Sequence, residues 1–576
     1  MTRSVFFLLA FLFVTQLSRA QSPFVPLNQD YYHLIDRLEI RQGRWAEGFH
    51  STVKPYNRHS IMQLVDSVEA NPDYPLSDTD YFNLGYLRDD SWEWATPAPR
   101  PGLPGSATAT VGNSPVGNSR KPFLNTFYRK KADFYSVQTA DFDLHINPVI
   151  HFGAGRESAQ DAGLFTNTRG LEVRGSIGRK LGFYTFFSDN QAVFPRYLQE
   201  YGRIYGTGEG AGFAPGEGLA KRYRQAGADY LTARGYITFN ILKIINFQFG
   251  HDRNFFGNGY RSLLLSDNSA PNLFVKFSTR FGKHFQYTNL FSEMQNRQVI
   301  ATGYDLWPQK FVATHHLSAN IGQHINLGVF ESTVFSRDRL DLNYLNPIIL
   351  FRFVESFRGS RDNALVGLDF KANFLRRFLF YSQLALDEFL ISALREGNGS
   401  WTNKFGVQAG LKYIDAFGVQ NLDLQGELNL ARPYTYSHRS GQTNYVHYNQ
   451  PLAHPLGANF IESIGIARYQ HKRLTATGTL AVMRYGTDPP GRNYGGNILL
   501  SYDERVRDNG NYIGQGRETI VTSTDLRLTY MLRHNFFLEG RYLYRFQDSQ
   551  YRPASYTSSL FNAGLRWNIP YRSWTL

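Results

Sequence analysis

In residues 421–429, every second side chain is polar. The apolar face carries three leucines and a glycine: Leu422, Leu424, Gly426 and Leu428. The opposite face carries two carboxylates and two amides: Asp423, Gln425, Glu427 and Asn429. Side chains on a β-strand point alternately to the two faces of a sheet, so this strand separates an apolar environment from a polar one. The alternation recurs along most of the chain, behind an N-terminal secretion signal. It therefore predicts an all-β transmembrane barrel with lipid outside and water inside.

Residues 1–20 predict a cleavable signal peptide. Arg3 supplies its positive charge, and residues 5–14 are almost entirely apolar but too short to span a bilayer. Residues 18–20, Ser-Arg-Ala, fit the small-x-small cleavage rule. An uncleaved membrane anchor is the alternative. The chain contains no cysteine, which excludes lipoprotein anchoring, disulfides and thiolate metal sites.

The composition agrees with a barrel and limits the partners. After the signal peptide, the 576-residue chain has no apolar run long enough for a transmembrane helix. Its 46 Phe, 36 Tyr and 7 Trp suit aromatic girdles at two membrane interfaces. The net charge of +13 favours an anionic partner, such as lipid phosphates or an acidic glycan, unless the charges are spread over loops and select no ligand. We expect no nucleic-acid partner, because the chain is exported and has no nucleic-acid-binding motif.

Residues 21–95 predict a small α-helical domain. Apolar side chains recur at helical spacing in residues 31–41 and again in residues 60–70. A third helix is expected to begin after Ser77 or Asp78, either of which is a good N-cap. We place this domain in the periplasm, before the barrel.

Residues 96–130 are rich in proline and glycine and predict a flexible linker. Residues 131–576 predict the barrel, with hairpins such as residues 169–178 followed by residues 181–188. At about 10 residues per strand plus loops, this length allows roughly 16 to 20 strands. A soluble β-sandwich or propeller is the alternative, but no repeat of fixed period supports it.

Three carboxylates are expected to face the lumen: Asp387, Asp423 and Glu427. Of these, we expect Asp387 or Glu427 to pair with a lumen arginine. We predict no catalytic residue. Asp387 and Glu388 are adjacent on a strand and should point to opposite faces, so they should not flank one glycosidic bond. We also predict no metal and no cofactor, since His315 and His316 should diverge in the same way.

A polar and aromatic set of residues is the candidate ligand site: Arg261, Trp401, Arg432, Tyr434, Tyr436 and His438. Aromatic rings stack on pyranose rings, and arginine binds carboxylates through two hydrogen bonds. Four of these residues follow the 421–429 strand, where a proline ends the paired ladder. The alternative is that they form an interfacial girdle and a packed loop.

Several segments resemble the Wzi-type capsule-assembly family of outer-membrane proteins, most closely its gliding-motility RemB branch in Bacteroidetes-type bacteria. They are residues 249–271, 345–347, 387–389, 401–404, 432–438 and 454–457. The resemblance implies a barrel of about eighteen strands, preceded by a periplasmic helical domain, in the outer membrane of a Gram-negative bacterium. It implies no catalytic residues, since the family has no established ones.

The leading hypothesis is therefore a non-enzymatic outer-membrane barrel. The resemblance implies a role in the assembly or attachment of surface polysaccharide, or in gliding motility and surface adhesion. Outer-membrane lipid, an anionic surface polysaccharide, and motility or adhesion proteins are the expected partners. The alternative is a porin or export channel, and a third hypothesis is an outer-membrane hydrolase.

Overall fold

The computed structural model describes residues 22–71, 75–95, 118–119, 122–205, 212–224, 226–242, 244–295, 308–336, 342–348 and 362–572. The predicted signal peptide and most of the predicted linker, residues 96–117, lie outside this part of the chain. Among the residues described, there is no helix with the length and apolar character needed to cross a membrane.

Eighteen antiparallel strands form a closed barrel, which confirms the all-β fold expected from the alternating pattern. Each strand pairs with the next one along the chain, and β18 pairs with β1. In chain order, β1 to β18 are Phe142–Glu157, Leu164–Ile177, Leu181–Val193, Gly227–Ile241, Ile245–Asp252, Asn272–Phe281, Phe285–Gln295, Gln309–Ile321, Ile325–Phe335, Asn363–Phe374, Phe378–Glu388, Lys404–Tyr413, Leu422–Ala431, Phe460–His471, Leu474–Thr487, Arg517–Arg533, Phe536–Ser549 and Tyr556–Trp567.

The two ends of the barrel differ. At one end, the short-turn end, most strands are joined by two or three residues, such as residues 178–180 between β2 and β3. At the other, the long-loop end, the connections include residues 253–271 between β5 and β6, residues 432–459 between β13 and β14, and residues 488–516 between β15 and β16. Two further helices lie in long loops: α4, Arg196–Tyr205, and α5, Ile391–Glu396.

Three helices precede the barrel, as the sequence predicts, and form a small helical segment: α1, Gln29–Gln42; α2, Arg58–Glu69; and α3, Asp78–Asp90. Each begins at a side-chain cap, from Asn28, Asn57 and Ser77 respectively. Ser77 and Asp80 form a capping box, in which each side chain accepts a hydrogen bond from the backbone N–H of the other residue at the start of α3. The apolar faces of the three helices share one buried core, which makes the segment compact.

The helical segment and the long loops meet inside the barrel. The pair Val53–Lys54, between α1 and α2, forms an antiparallel bridge with Phe255–Phe256 in the β5–β6 loop. Further short strands are Tyr135–Gln138, Gly212–Ala214, Gly218–Tyr223, Val446–His447 and Gln450–Pro451. A buried apolar cluster joins Val53, the β5–β6 loop and the β13–β14 loop to the inner faces of β6 to β14. The core of this molecule is therefore in the lumen of the barrel.

Strand β13 has the two faces that its sequence predicts. Glu427 is buried, whereas Leu428, the next residue, is 43% exposed on the outside of the barrel. Leu424 pairs with Ala467 of β14, and both lie on that outer face. Apolar side chains of β13 therefore face outward, toward lipid, and the carboxylates next to them in the sequence face inward.

We predict that Leu424→Arg weakens insertion into lipid, because a cation on the lipid face costs up to about 2–4 kcal/mol, with the largest cost at the membrane midplane. Folding into lipid vesicles, followed as a urea titration, measures the loss. Leu424→Ala is the matched control and should cost much less, since it stays apolar. Equal losses in the two variants would contradict the outward position of Leu424.

Candidate functional site

Each lumen carboxylate predicted from the sequence contacts a different piece of chain that enters the barrel. Glu427 binds the β5–β6 loop. Its carboxylate accepts hydrogen bonds from the backbone N–H groups of Tyr260 and Arg261, at 2.6 and 3.0 Å, and from the Tyr381 hydroxyl at 2.7 Å. Two of these donors are backbone N–H groups, which can move only if the main chain of the loop moves. Glu427 therefore fixes the position of this loop.

Asp423 binds the helical segment. Its Oδ1 accepts a hydrogen bond from Arg37 Nη1 at 2.5 Å, and its Oδ2 lies 2.9 Å from His33 Nε2. The same guanidinium reaches Asp415 at 2.6 Å and Asp80 at 3.3 Å, and its side chain is only 3% exposed. Burial disfavours the charged form of Arg37, but the three carboxylates outweigh it and raise its pKa. Arg37 therefore connects α1, α3 and the barrel wall as one ionic network.

Asp387 binds the β13–β14 loop. Its Oδ2 accepts the backbone N–H of Tyr436 at 2.7 Å and lies 3.3 Å from Lys404 Nζ. The expectation that Asp387 and Glu388 diverge is wrong here, because Lys404 Nζ also lies 3.3 Å from Glu388. The strand register shifts between Leu386 and Glu388, and this irregularity interrupts the alternation of faces.

A fourth lumen carboxylate, Glu462 on β14, was not among the sequence candidates. It is fully buried, accepts two hydrogen bonds from Arg261 at 2.9 and 3.2 Å, and lies 2.6 Å from His454 Nε2. His454 Nδ1 accepts the N–H of Leu456, so Nε2 carries the proton toward Glu462. In the sequence, only the period-two alternation of β14 indicates which way Glu462 points. It places Glu462 on the same, inward face as Ile464 and Ile466.

The six predicted ligand-site residues separate into two groups. Arg261 and Tyr436 lie deep in the lumen, where the Tyr436 hydroxyl donates to the carbonyl of Leu263 at 2.7 Å. The other four lie at the long-loop end: Trp401, Arg432, Tyr434 and His438. Tyr434 and Tyr436 are each only 1% exposed, so neither tyrosine offers a ring face to a ligand. Burial also lowers the pKa of His438 to about 4, and the ring is therefore neutral at physiological pH.

The long-loop end carries an accessible group of rings and arginines, which we call the Trp401 surface: Trp401, Arg439, Tyr502 and Arg505. The rings of Trp401 and Tyr502 lie 4.8 Å apart, and the Arg505 guanidinium lies 4.2 Å from the Trp401 ring. The arginines contact Asp503 and Asp508, but exposed ion pairs of this kind are weak and exchangeable. Tyr502, Arg439 and Arg505 had no distinguishing pattern in the sequence.

Two loops hold the Trp401 surface in place. The backbone N–H of Trp401 donates to the carbonyl of Asp508, and the N–H groups of Gly510 and Asn511 donate to the carbonyls of Asn398 and Gly399, all at 2.8 Å. Arg432 also donates to the Ser400 carbonyl at 3.2 Å. The rings are therefore presented on a connected backbone, which lowers the entropy cost of binding a ligand.

These contacts define a class of protein: a closed eighteen-stranded barrel whose lumen holds a helical segment and inserted loops. Among solved structures, the chain is similar to Wzi of Escherichia coli, an outer membrane protein involved in group 1 capsule assembly and a carbohydrate-binding β-barrel. The two share 13% identity over 96% of this chain and 100% of Wzi, with a TM-score of 0.57. At this identity, the likeness shows the fold alone.

Two other structures align over a smaller part of the chain. OprD of Pseudomonas aeruginosa is 8% identical over 74% of this chain and 94% of its own, with a TM-score of 0.42. OccAB2 of Acinetobacter baumannii is 12% identical over 74% of this chain and 98% of its own, with a TM-score of 0.40. No protein-family model and no curated protein sequence matches the chain.

We predict that the helical segment leaves the barrel as the pH falls from about 4 toward 2. Burial opposes the ionisation of Asp30, but Arg527 lowers its pKa to about 2. Burial likewise opposes the ionisation of Asp90, but Arg58 and His534 hold its pKa well below the usual range. Because folding depresses both pKa values, their contribution is complete above about pH 4 and is lost on acidification. Pepsin cleavage within residues 22–95 should rise across this range.

Asp90→Asn tests this interpretation at neutral pH. It removes a charge that pairs with the buried Arg58 of α2 at 2.6 Å and with His534 of the β16–β17 turn at 3.4 Å, and it should cost about 3–5 kcal/mol of the stability of the docked helical segment. Asp89→Asn is the matched control, because Asp89 contacts only the exposed Lys131 among the described ion pairs. If both variants were as resistant to protease as the wild type, Asp90 would have no role in docking.

Proposed function

We propose that this chain is a non-enzymatic protein of the bacterial outer membrane that holds surface polysaccharide at its long-loop end. The observation that carries this proposal is the attachment of the inserted loops to buried carboxylates. Glu427, Asp387 and Glu462 bind the β5–β6 and β13–β14 loops through backbone amides or charged side chains. The barrel thereby acts as a rigid support for the Trp401 surface.

The chemistry of the Trp401 surface suits a glycan. Trp401 and Tyr502 supply a partly exposed aromatic pair for contact with a pyranose ring, and Arg439 and Arg505 supply donors for carboxylate or phosphate groups. The likeness in fold to Wzi, a carbohydrate-binding barrel, supports this assignment. We assign no reaction, because Asp387 and Glu388 share Lys404 and Asp387 holds a loop amide.

We place the long-loop end outside the cell and the helical segment in the periplasm. Barrels of the outer membrane have short periplasmic turns and longer extracellular loops, which supports this orientation. The family resemblance in the sequence further supports a role in surface adhesion and gliding motility. In that role, the same surface would attach the cell's own glycan or a motility protein to the membrane.

A porin or export channel is the second candidate function. It is supported by a cavity of about 350 Å³ that remains in the lumen beside the inserted loops. Against it, the bridge between Val53–Lys54 and Phe255–Phe256 crosses the lumen, and the helical segment occupies the short-turn end. Passage would require these pieces to move.

We predict that Trp401→Ala lowers retention of surface polysaccharide on cells by about tenfold, equivalent to about 1.4 kcal/mol of binding free energy. The ratio of cell-bound to released polysaccharide measures the effect. Tyr551→Ala is the matched control. Its ring also lies under an arginine, Arg517, at 4.5 Å, but in a different loop of the same end. Normal retention by Trp401→Ala would remove the Trp401 surface from the proposal.

We also predict that the wild-type protein gives no steady ion conductance in planar lipid bilayers. The double variant Glu427→Ala, Glu462→Ala should increase conductance, because it releases the backbone amides and the guanidinium of the β5–β6 loop. Glu518→Ala, at an exposed ion pair with Arg484, is the control and should stay closed. Heat-modifiable migration on gels verifies that each barrel has folded. Steady conductance of the wild type would favour the channel instead.

A further inference from the structure

The β5–β6 and β13–β14 loops fill mainly one side of the barrel. Their apolar cluster packs against β6 to β14, whereas the cavity of about 350 Å³ is lined by residues of β1 to β5, β12 to β14 and β16 to β18. Its lining extends from Asp36 on α1 to Val193 at the long-loop end of β3. This volume is within the range of small-molecule sites, which is about 300–1,000 Å³.

The described lining of this cavity has an excess of positive charge. It contains seven arginines and two lysines but only five carboxylates. Several of these cations are already paired: Arg527 with Asp30 at 2.6 Å, Arg566 with Glu539 at 2.8 Å, and Lys412 with Asp36 at 2.6 Å. The remaining charge lies inside the barrel, where the effective dielectric is lower than in bulk water and an anion would be bound more strongly than on an open surface.

Arg468 is the clearest unpaired cation. It points inward from β14, and its guanidinium contacts the amide oxygen of Gln425 at 3.4 Å. Within the described residues, its buried Nε has no hydrogen-bond partner, and no carboxylate forms an ion pair with it. A buried charge without a partner is costly, so the site gains from a bound anion.

Arg234 provides a second donor on the opposite wall. It projects from β4, its guanidinium lies 4.2 Å from the ring of Phe186, and its Nε also has no hydrogen-bond partner in the described part of the chain. Its nearest carboxylate, Asp252, is at 4.0 Å, which is too far for a hydrogen bond. Two guanidinium groups with free donor positions therefore line the same cavity.

Aromatic rings complete the lining. Tyr32, Tyr230, Tyr260 and Tyr571 all border the cavity, together with Phe186. We propose that this cavity is a second ligand site, separate from the Trp401 surface, and that it binds a carboxylate-bearing saccharide about two sugar residues long. Arg468 and Arg234 bind the carboxylate groups, and the rings stack on the pyranose faces. A simple inorganic anion would contact the arginines but not the rings.

Calorimetric titration of the full-length protein in detergent tests this site, with digalacturonate as the probe and lactose as a neutral disaccharide. We expect digalacturonate to bind, to weaken as salt screens the charges, and to bind at least about tenfold more weakly to Arg468→Gln. The glutamine variant should fold normally, because no carboxylate loses a partner. Arg468→Lys keeps the charge but loses the paired donors, and it should also weaken binding.

Arg492→Gln, at an exposed loop position, is the matched control and should bind digalacturonate like the wild type. Trp401→Ala should do the same, since Trp401 does not line the cavity. Equal binding of lactose, equally tight binding of inorganic phosphate, or unchanged binding by both Arg468 variants would each overturn the proposal. Such a result would leave the proposed function intact, because that function depends on Trp401→Ala and polysaccharide retention on cells.

Discussion

The structure depends on carboxylates that face the inside of a closed barrel. The strands must present apolar side chains to lipid, so their polar side chains point into the lumen, where a carboxylate without donors is costly. The protein supplies those donors from chain that enters the lumen. Asp423 binds α1, Glu427 binds the β5–β6 loop and Asp387 binds the β13–β14 loop. The same alternation that creates the wall therefore also creates the attachment points for its contents.

This arrangement couples the two ends of the molecule. Residues 53–54 of the helical segment pair with residues 255–256 of a long loop, and a single apolar cluster includes both. A change in the docking of α1 would therefore be transmitted to the β5–β6 loop through main-chain hydrogen bonds. From there it reaches the β13–β14 loop, which packs on the same cluster. The position of the long-loop end therefore depends on the docking of the helical segment.

The sequence predicts what is local. The period-two alternation gave β13 and its faces, and the caps at Asn28 and Ser77 have side chains of the expected type. Long-range partners could not be predicted in the same way, because Arg37 and Asp423 are 386 residues apart. The sequence predicted the candidate site less well than it predicted these local elements. Tyr434 and Tyr436 have left-handed backbone angles, with φ of 67° and 70°, and both rings are buried. Such angles are uncommon for tyrosine, so the alternation of a strand could not predict where these rings point.

The charges in the lumen follow the distribution of the inserted loops. Where the loops fill the barrel, they also satisfy its charges, as with Glu462 between Arg261 and His454. Where they leave space, cations outnumber carboxylates, and among the described residues the Arg468 side chain has only the amide of Gln425 as a hydrogen-bond partner. The position of the unpaired charge therefore matches the position of the unfilled space, and both indicate a ligand that is not part of the chain.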